Sequence, residues 1–335
     1  MLKLGIIGAG RIGRVHCESI INHVPVATVQ AIADPLLNDD IRSFAKKMRV
    51  PDVYVDYKKI IDDPQIDAVL ICSSTDTHAQ ISIEAAAAGK HIFCEKPVDA
   101  DLKRIAQVAE AVEKAGVKFQ VGFNRRFDNN FKAIKDTVSA GKVGDVHLVR
   151  ITSRDPAPPP AEYVAVSGGM FLDMTIHDFD MVRYLTGSEP IEIYTAGAVL
   201  VDPAIGEAGD IDTAIITIKM ANGAIAAIDN SRKAAYGYDQ RAEVFGSKGA
   251  VSVTNNTNST AVFSGEDGVV AEKPLYFFLE RYMQSFSDEI SSFVDAVVNN
   301  TPVPVNVHDG LVPVKMALAA KKSLDENRPV KISEI

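Results

Sequence analysis

The chain has 335 residues, which is enough for two domains with substantial cores. Its composition, 47% hydrophobic and 24% charged, is that of an ordinary globular protein, and its formal charge of −9 argues against nucleic acid or an anionic membrane surface as a partner. No apolar run is long enough to span a bilayer, and the early glycines do not fit a signal peptide. Three cysteines, Cys17, Cys72 and Cys94, lie within apolar runs, so we expect reduced core thiols in a cytoplasmic protein.

The first residues predict a dinucleotide-binding turn. The run from Leu2 to Ile7 is typical of a buried parallel strand, and three glycines follow it at G-x-G-x-x-G spacing, with a helical pattern from Arg11. In such a turn a pyrophosphate meets the unpaired N–H groups and the positive end of the helix. We therefore predict that the cofactor contacts Gly8, Gly10, Arg11, Ile12 and Gly13.

Asp34 indicates which cofactor is bound. It follows a second predicted strand, residues 26–33, about 20 residues past the glycines, where an acidic side chain can bind a ribose hydroxyl. Its charge would repel the additional phosphate of NADP, and Pro35 and Leu36 supply no arginine to receive that phosphate. The predicted cofactor is NAD.

Strands and helices continue to alternate as far as residue 122. Alternation at this pace predicts a doubly wound parallel (Rossmann) sheet over residues 1–122. The predicted helices are 38–47, 76–89 and 102–115, and the further predicted strands are a short one near Tyr54 and the runs 68–72, 91–94 and 117–122. Ligands of such sheets bind at the carboxyl ends of the strands, and we predict cofactor contacts there from Ser73, Thr75, His78, Glu95 and Arg125.

Lys96 is the most informative of the residues that follow these strands. A lysine at the end of a buried strand is poorly placed as a solvated surface charge. Next to a nicotinamide it could hydrogen-bond a substrate oxygen and favour the alkoxide that forms during hydride transfer. Glu95 could hold it by charge pairing, and Pro97 would fix the turn. A purely structural Glu95–Lys96 pair is the alternative.

Residues 123–335 predict a second, α+β domain with an open, mainly antiparallel sheet. A helix is predicted at 168–185, and two helical runs, 277–299 and 311–326, close the chain. Ala221-Asn222-Gly223 is a hairpin signal. Because an apolar sheet face left uncovered by helices needs a partner, we expect this domain to combine substrate binding with oligomerisation. The strand-like runs are 146–153, 191–200, 213–220, 224–231, 241–245, 250–254 and 260–264.

Asp173 and His177 form a candidate acid–base pair within the predicted helix 168–185. On one helix, residues four apart lie on the same face, where a carboxylate can orient an imidazole and raise its basicity. A structural pair and a metal site with Asp178 and Asp180 are the alternatives. Metal sites usually need three or more converging ligands, and the chain has no His-x-x-x-His or Cys-x-x-Cys spacing, so we predict no metal.

Five features occur in a fixed order along the chain: GIIGAGRIG near the start, the strand end at Asp34, CEKPVD at 94–99, GFNRRFD at 122–128 and SGGMFLDMTIHDFDM at 167–181. By these features the chain resembles the glucose–fructose oxidoreductase and inositol dehydrogenase family. Within the family, the turn at Asp155 with its proline run and the Tyr-Gly-Tyr-Asp stretch at 236–239 are similar to those of inositol 2-dehydrogenases.

The resemblance implies that Lys96, Asp173 and His177 are catalytic and that a cyclic polyol is oxidised to a ketone, with NAD as the hydride acceptor. It also implies a homotetramer assembled through the open sheet. Some inositol dehydrogenases carry a histidine where this chain has Ser153, so the substrate contacts differ there. Besides the three catalytic residues, the predicted substrate contacts are Asn124, Arg126, Asp155, Tyr236 and Tyr238.

Three other functions are compatible with the pattern. A related dehydrogenase acting on a pyranose sugar is the nearest, and a panel of inositols against aldoses would distinguish it. A different chemistry on the same scaffold, such as a dehydratase or an oxidoreductase that retains its cofactor, would show bound NAD without net turnover. A non-catalytic NAD sensor is the third, although a sensor has no need of the lysine, aspartate and histidine together.

Overall fold

A computed structural model describes residues 1–335, apart from the side chains of Ala161 and Ala165. The chain packs into two compact units. The first comprises Met1–Phe127 and Gln284–Val314, and the second comprises Asp128–Met283 and Lys315–Ile335. The sequence predicted two domains that follow one another along the chain, whereas in the structure Gln284–Val314 also belongs to the first unit.

The first unit contains a six-stranded parallel sheet, as predicted. Its strands are β1 (Leu2–Ile7), β2 (Ala27–Ala33), β3 (Asp52–Tyr54), β4 (Ala68–Ile71), β5 (His91–Glu95) and β6 (Phe119–Gly122). The intervening helices are α1 (Arg11–His23), α2 (Asp39–Lys47), α3 (Lys58–Ile61), α4 (Thr75–Ala87) and α5 (Leu102–Ala115). The strand order is β3-β2-β1-β4-β5-β6, the doubly wound arrangement.

Local sequence explains the bounds of these elements. All four residues of β4 are buried apolar side chains, which suits a strand covered on both faces. Helix α5 begins where the Asp101 carboxylate accepts the N–H of Lys103 and ends at Gly116, whose φ of 68° few other residues adopt readily. Helix α3 was missed because a single helical turn leaves almost no periodic pattern.

The second unit contains a larger, mixed sheet and a separate hairpin. Its strands are β7 (Val146–Arg154), β8 (Pro190–Ala198), β9 (Thr213–Met220), β10 (Ile225–Ser231), β11 (Asp239–Gly246), β12 (Gly249–Val253), β13 (Val262–Gly265), β14 (Gly268–Ala271) and β15 (Val330–Lys331). The remaining helices of the chain are α6 (Asn129–Ser139), α7 (Ala161–Ser167), α8 (Gly169–Asp173), α9 (Ile176–Thr186), α10 (Pro203–Glu207), α11 (Phe278–Arg281), α12 (Met283–Val298) and α13 (Val307–Glu326). Short 3-10 turns span Asn124–Phe127 and Ile332–Glu334.

The large sheet has the order β12-β11-β7-β10-β9-β8-β15, and one of its pairs is parallel. β7 runs parallel to β10, whereas the other pairs are antiparallel. The mainly antiparallel sheet and the β9–β10 hairpin at Asn222 and Gly223 are confirmed. The run predicted at 260–264 does not join this sheet, because β13 pairs with β14 in a separate two-stranded sheet.

The two faces of the large sheet differ, because side chains alternate along each strand. One face is buried and carries Val149, Ile151, Ile216, Ile228 and Val244. Helix α9 packs against β7, and α6 packs against β11 and β12. The opposite face exposes the large apolar side chains Leu148, Tyr194, Ile215, Ile225 and Phe245.

Helix α12 explains why residues 284–314 belong to the first unit. Ile290, Phe293 and Val294 recur at helical spacing, are fully buried, and join the core cluster that contains Leu4 and Ile6 of β1. The three cysteines are also buried and unbridged, as expected, and burial raises the pKa of Cys17 to about 12. Over the residues that the structure describes, no helix has the length and apolarity needed to cross a membrane.

The core of the first unit also holds buried ionisable groups. His16 Nε2 of α1 lies 2.6 Å from Glu95 Oε1 of β5, and one carboxylate oxygen of Glu289 lies within 4.8 Å of both residues' nearest ligand atoms. Burial, and then the negative charge of Glu95, raise the pKa of Glu289 well above its ordinary value. Both effects favour the protonated form of Glu289 beside the hydrogen-bonded His16–Glu95 pair.

Glu289→Gln should change how stability depends on pH. A group whose pKa is higher in the folded than in the unfolded protein contributes stability at pH values below its unfolded-state pKa. This contribution is lost as the pH rises. The variant should therefore unfold at a higher temperature than the parent at about pH 8, with a smaller advantage at about pH 4. Thermal unfolding measured across this pH range would test the prediction. Glu110→Gln, on the exposed face of α5, is the control. An equal effect of Glu289→Gln at both pH values would contradict the interpretation.

Candidate active site

The glycine turn leaves space at the N-terminus of α1. A Cβ on Gly8 would lie 2.6 Å from the carbonyl group of Cys72, and a Cβ on Gly13 would lie 2.0 Å from the Gly8 carbonyl oxygen. Around Gly10, the N-cap of α1, nothing lies within 4 Å of such a Cβ. Gly8 and Gly13 are thus required by close packing, whereas Gly10 leaves room for a pyrophosphate next to the helix N–H groups.

Asp34 is fixed beside this turn by backbone donors. Its Oδ2 accepts the N–H of Ala9 at 2.7 Å, and its Oδ1 accepts the N–H of Leu36 at 2.8 Å. A carboxylate oxygen has more than one acceptor position, so both oxygens can still accept a hydroxyl. The arrangement holds a negative charge at the end of β2, where it would oppose a 2′-phosphate.

The loops after β4 and β5 are joined by a buried histidine. His78 is 2% exposed, and its ring nitrogens lie 2.8 Å from the Pro97 carbonyl oxygen and 3.0 Å from that of Ser73. The Ser73 hydroxyl lies 2.7 Å from that of Thr77, and Thr75 is the partly exposed first residue of α4. His78 therefore holds the loops together, while Ser73 and Thr75 lie at their surface.

Lys96 directly follows β5 and is half-buried, and its peptide bond to Pro97 is cis. The preceding Glu95 points inward, to His16 of α1, and so links the glycine-turn helix to the end of β5. Gly122 on the neighbouring strand makes room for that carboxylate, because a Cβ there would lie 3.1 Å from its oxygens.

The turn after β6 is anchored to the returning segment of the first unit. The Asn124 amide donates to the Ser285 hydroxyl at 3.4 Å, and the Arg126 guanidinium lies 3.0 Å from an Asp309 carboxylate oxygen. Asn124 and Arg125 are buried, and Arg126 is half-buried. These predicted ligand contacts thus also hold the turn in place.

In the second unit, Asp173 and His177 lie on two consecutive helices, which corrects the single helix predicted over 168–185. Asp173 is the last residue of α8, and α9 begins at Ile176. The N–H groups of Met174 and Thr175 both donate to the Met170 carbonyl at 2.9 Å, and that of His177 donates to Met174 at 3.3 Å. The regular i to i−4 ladder is interrupted between the two candidate residues.

Buried polar contacts with the sheet account for this interruption. The Thr175 hydroxyl donates to Asn230 Oδ1 on β10 at 2.6 Å, and the Asn230 amide donates to Asp178 at 2.9 Å and to the Ser153 carbonyl at 3.3 Å. All four residues are buried, so each contact satisfies a group that would otherwise be costly to enclose. The start of α9 is thereby fixed to β7 and β10, and Asp178 is one of the residues that form this network.

Asp173 is paired with an arginine that the sequence did not suggest. Its Oδ2 lies 3.0 Å from Nη1 of Arg232, a side chain that is only 3% exposed, and its Oδ1 accepts the Tyr163 hydroxyl at 2.9 Å. The same Nη1 lies 3.5 Å from Asp155 Oδ2. Arg232 follows β10 and Asp155 follows β7. A prediction that these two strands pair in parallel would have placed the two residues side by side.

The two tyrosines predicted to contact substrate occupy different environments. Tyr236 is 41% exposed, and its hydroxyl donates to Asp239 at 2.6 Å and accepts from Arg154 at 3.0 Å. Tyr238 is 7% exposed and packs edge-on against the rings of Phe277 and Tyr282. Tyr236 thus belongs to a surface polar cluster and Tyr238 to the core.

The fold and the glycine turn define the class of protein: an oxidoreductase with an NAD-binding Rossmann unit. Residues 2–123 match the oxidoreductase family with an NAD-binding Rossmann fold, and residues 131–252 match the GFO/IDH/MocA C-terminal domain. The chain belongs to the GFO/IDH/MocA family. The predicted family, cofactor and reaction class are confirmed.

Full-length similarity to individual proteins supports this membership. The chain is 48% identical to a myo-inositol 2-dehydrogenase of Thermotoga maritima, covering 100% of this chain and 99% of that protein. It is 42% identical to an inositol 2-dehydrogenase of Rhizobium meliloti, covering 99% of each. It is also similar, with a TM-score of 0.93, 33% identity and 99% of each chain covered, to the crystal structure of a scyllo-inositol dehydrogenase from Lactobacillus casei with bound NAD(H) and scyllo-inositol.

Two alanine substitutions would separate packing from cofactor binding in the glycine turn. Gly13→Ala should destabilise the protein by about 1–3 kcal/mol because its Cβ overlaps the Gly8 carbonyl. Gly10→Ala should leave stability within about 0.5 kcal/mol of the parent but weaken NAD binding at least about tenfold, because the methyl group occupies the pyrophosphate space. Thermal unfolding and NAD titration would measure both effects. Normal NAD affinity in Gly10→Ala would contradict the assignment.

Proposed function

We propose that the chain is an NAD-dependent inositol 2-dehydrogenase that oxidises one ring hydroxyl of myo-inositol or scyllo-inositol to a ketone. One observation carries the proposal. Over nearly its whole length the chain is similar to proteins named for this reaction, and it has a lysine, an aspartate and a histidine at the predicted catalytic positions. NAD, when bound, supplies the acceptor for the hydride that leaves the ring carbon.

His177 is the proposed general base. It is half-buried at the start of α9, a segment held to the sheet by the Thr175–Asn230–Asp178 contacts. An imidazole is suited to accept the hydroxyl proton, because its ordinary pKa lies near neutral pH. The fixed backbone on either side of the ring limits its movement, which favours a reproducible geometry for proton transfer.

Asp173 is the proposed partner of this base. Its negative charge would orient the imidazole and stabilise the imidazolium that forms when the proton is taken. The pairing with Arg232 and the hydrogen bond from Tyr163 use both carboxylate oxygens, but each oxygen can accept more than one hydrogen bond. Asp173 can therefore also accept a hydrogen bond from the imidazole or from a substrate hydroxyl.

Lys96 is proposed to bind the reacting oxygen. As a cation it would stabilise the negative charge that develops on that oxygen while the proton and the hydride leave. Its place at the carboxyl end of a parallel strand, one residue after the inward-pointing Glu95, supports this role. A lysine also supplies the positive charge that a metal ion would otherwise bring.

The remaining residue assignments belong to the same proposal. The glycine turn and Asp34 would hold the dinucleotide, together with polar residues at the carboxyl ends of three strands: Ser73, Thr75 and His78 after β4, Glu95 as the last residue of β5, and Arg125 after β6. The polyol's other hydroxyls would be bound by Asn124, Arg126, Asp155, Tyr236 and Tyr238. The core position of Tyr238 makes Tyr236 the better supported of the two tyrosines.

The exposed apolar face of the large sheet supports a homotetramer as a further part of the proposal. Leu148, Ile215, Ile225 and Phe245 expose between 38% and 52% of their surface on that face, and covering them would remove apolar area from water. We place the enzyme in the cytoplasm and in inositol catabolism, in keeping with its buried thiols and its NAD chemistry.

Initial rates with NAD and NADP on myo-inositol, scyllo-inositol and glucose would test the proposal. We expect NADH to form with at least one inositol and NAD. Lys96→Ala and His177→Ala should each lower kcat by roughly 10²–10⁴-fold, because each removes a group that acts on the reacting oxygen.

Matched controls are Lys103→Ala on α5 and His23→Ala at the end of α1, both exposed, which should retain parental rates. Turnover of glucose in preference to every inositol would favour a sugar dehydrogenase instead. Near-parental turnover by Lys96→Ala would overturn the catalytic assignment.

A further inference from the structure

We propose that Arg232 is a positioning residue that holds Asp173 and Asp155 as ionised carboxylates in fixed places at one edge of the second sheet. The inference rests on the proposed function, since it explains how Asp173 is kept ready to assist His177. Arg232 is not among the residues predicted from sequence.

The parallel pairing of β7 and β10 places Arg232 and Asp155 side by side. In the register of this pair Ser231 lies opposite Arg154, so the next residue of each strand is Arg232 and Asp155. The Asp155 N–H donates to the Ser231 carbonyl at 2.9 Å, and the Ala234 N–H donates to the Asp155 carbonyl at 2.6 Å. Backbone hydrogen bonds alone thus hold the two strand ends together.

The backbone of Arg232 is held from a second direction. Its N–H donates to the carbonyl of Asp212 at 2.8 Å, and the Asp212 carboxylate accepts the N–H groups of Leu200, Val201 and Asp202. Burial raises the pKa of Asp212, but these hydrogen bonds outweigh it and the pKa is lowered overall. Asp212 is therefore an anion that fixes the loop beside Arg232.

The hydrogen bonding of Arg232 is incomplete for a residue so deeply buried. Its Nη1 serves both Asp173 and Asp155, whereas Nε and Nη2 have no hydrogen-bond partner among the residues that the structure describes. Enclosing such donors costs free energy, and an apolar side chain would fill the same space at lower cost. Control of the two carboxylates is the role that accounts for a charge at this position.

The charges around Asp173 come from several elements. Asp155 after β7, and Asp210, which accepts the Met170 N–H at 2.8 Å, add negative charge, whereas Arg232 adds positive charge. Tyr163 of α7 donates its hydroxyl to Asp173, and His177, a further titratable group, lies near the start of α9, four residues along the chain. Burial lowers the pKa of Arg232, but the charges of Asp173, Asp155 and Asp210 outweigh burial and raise it overall. Without Arg232 the carboxylates of Asp173, Asp155 and Asp210 would repel one another, because the cation that contacts both Asp173 and Asp155 would be gone.

The pH dependence of kcat/KM for an inositol would test the role of Arg232. In Arg232→Gln the acidic limb of the profile should move up by about 1–3 pH units, and kcat/KM near neutral pH should fall roughly 10–100-fold, with KM for NAD unchanged. Arg232→Lys should return the limb most of the way to its parental position, because it restores the charge. Tyr163→Phe, which removes an uncharged donor from the same carboxylate, should move the limb less than Arg232→Gln.

Arg183→Gln is the matched control, because it removes another buried arginine of the second unit, one paired with Glu189. It should leave the acidic limb in place. A limb that stays in place in Arg232→Gln, with activity falling only as the folded fraction falls, would show a purely structural role and overturn the proposal. An Arg232→Lys enzyme that behaves like Arg232→Gln would overturn it as well.

A measurement without substrate separates this inference from the proposed function. The unfolding midpoints of the parent, Arg232→Gln, Asp173→Asn and the double variant should show coupling between the two sites near neutral pH that disappears in acid. If Arg232 and Asp173 are coupled but the parent does not turn over an inositol, the proposed function is contradicted and the pairing of the two residues is not. Turnover without coupling would contradict the pairing of Arg232 with Asp173.

Discussion

The second unit depends on the parallel pairing of two strands within an otherwise antiparallel sheet. Because β7 and β10 run in the same direction, both strands end at one edge, and the residues that follow them, Asp155 and Arg232, are neighbours. The guanidinium of Arg232 then reaches Asp173 at the end of α8. Asn230, two residues earlier, holds the start of α9 through Thr175 and Asp178. One strand end therefore positions both helices that carry the proposed acid–base pair.

The first unit uses strand ends in a different way. Its glycine turn is shaped by packing at Gly8 and Gly13 and left open at Gly10, and a backbone-bound Asp34 lies beside it. Glu95 turns inward to His16, so one buried hydrogen bond connects the helix proposed to bind the pyrophosphate with β5, the strand that Lys96 follows. In both units a buried polar contact fixes a residue next to a proposed functional one, Glu95 beside Lys96 and Asp178 beside His177. Such supporting contacts give a site its geometric precision.

The sequence was sufficient wherever the signal is local. The glycine spacing, the apolar runs of β1 and β4 and the capped helix α5 each involve a few neighbouring residues, and the structure has them where they were predicted. The break between α8 and α9 could not be predicted, because its cause, Asn230, lies 55 residues beyond Thr175. Arg232 was missed for a related reason, since only the strand pairing reveals its nearness to Asp155. The inclusion of α12 in the first unit likewise depends on contacts between residues far apart in sequence.

The proposed reaction passes a hydride from a ring carbon of an inositol to NAD on this chain. The most direct test is to supply myo-inositol carrying deuterium at carbon 2 and to analyse the reduced cofactor by mass spectrometry. We expect deuterium in the NADH, a primary isotope effect on kcat/KM, and the keto-inositol as the other product. Turnover that leaves the deuterium on the polyol or releases it to water would contradict the account.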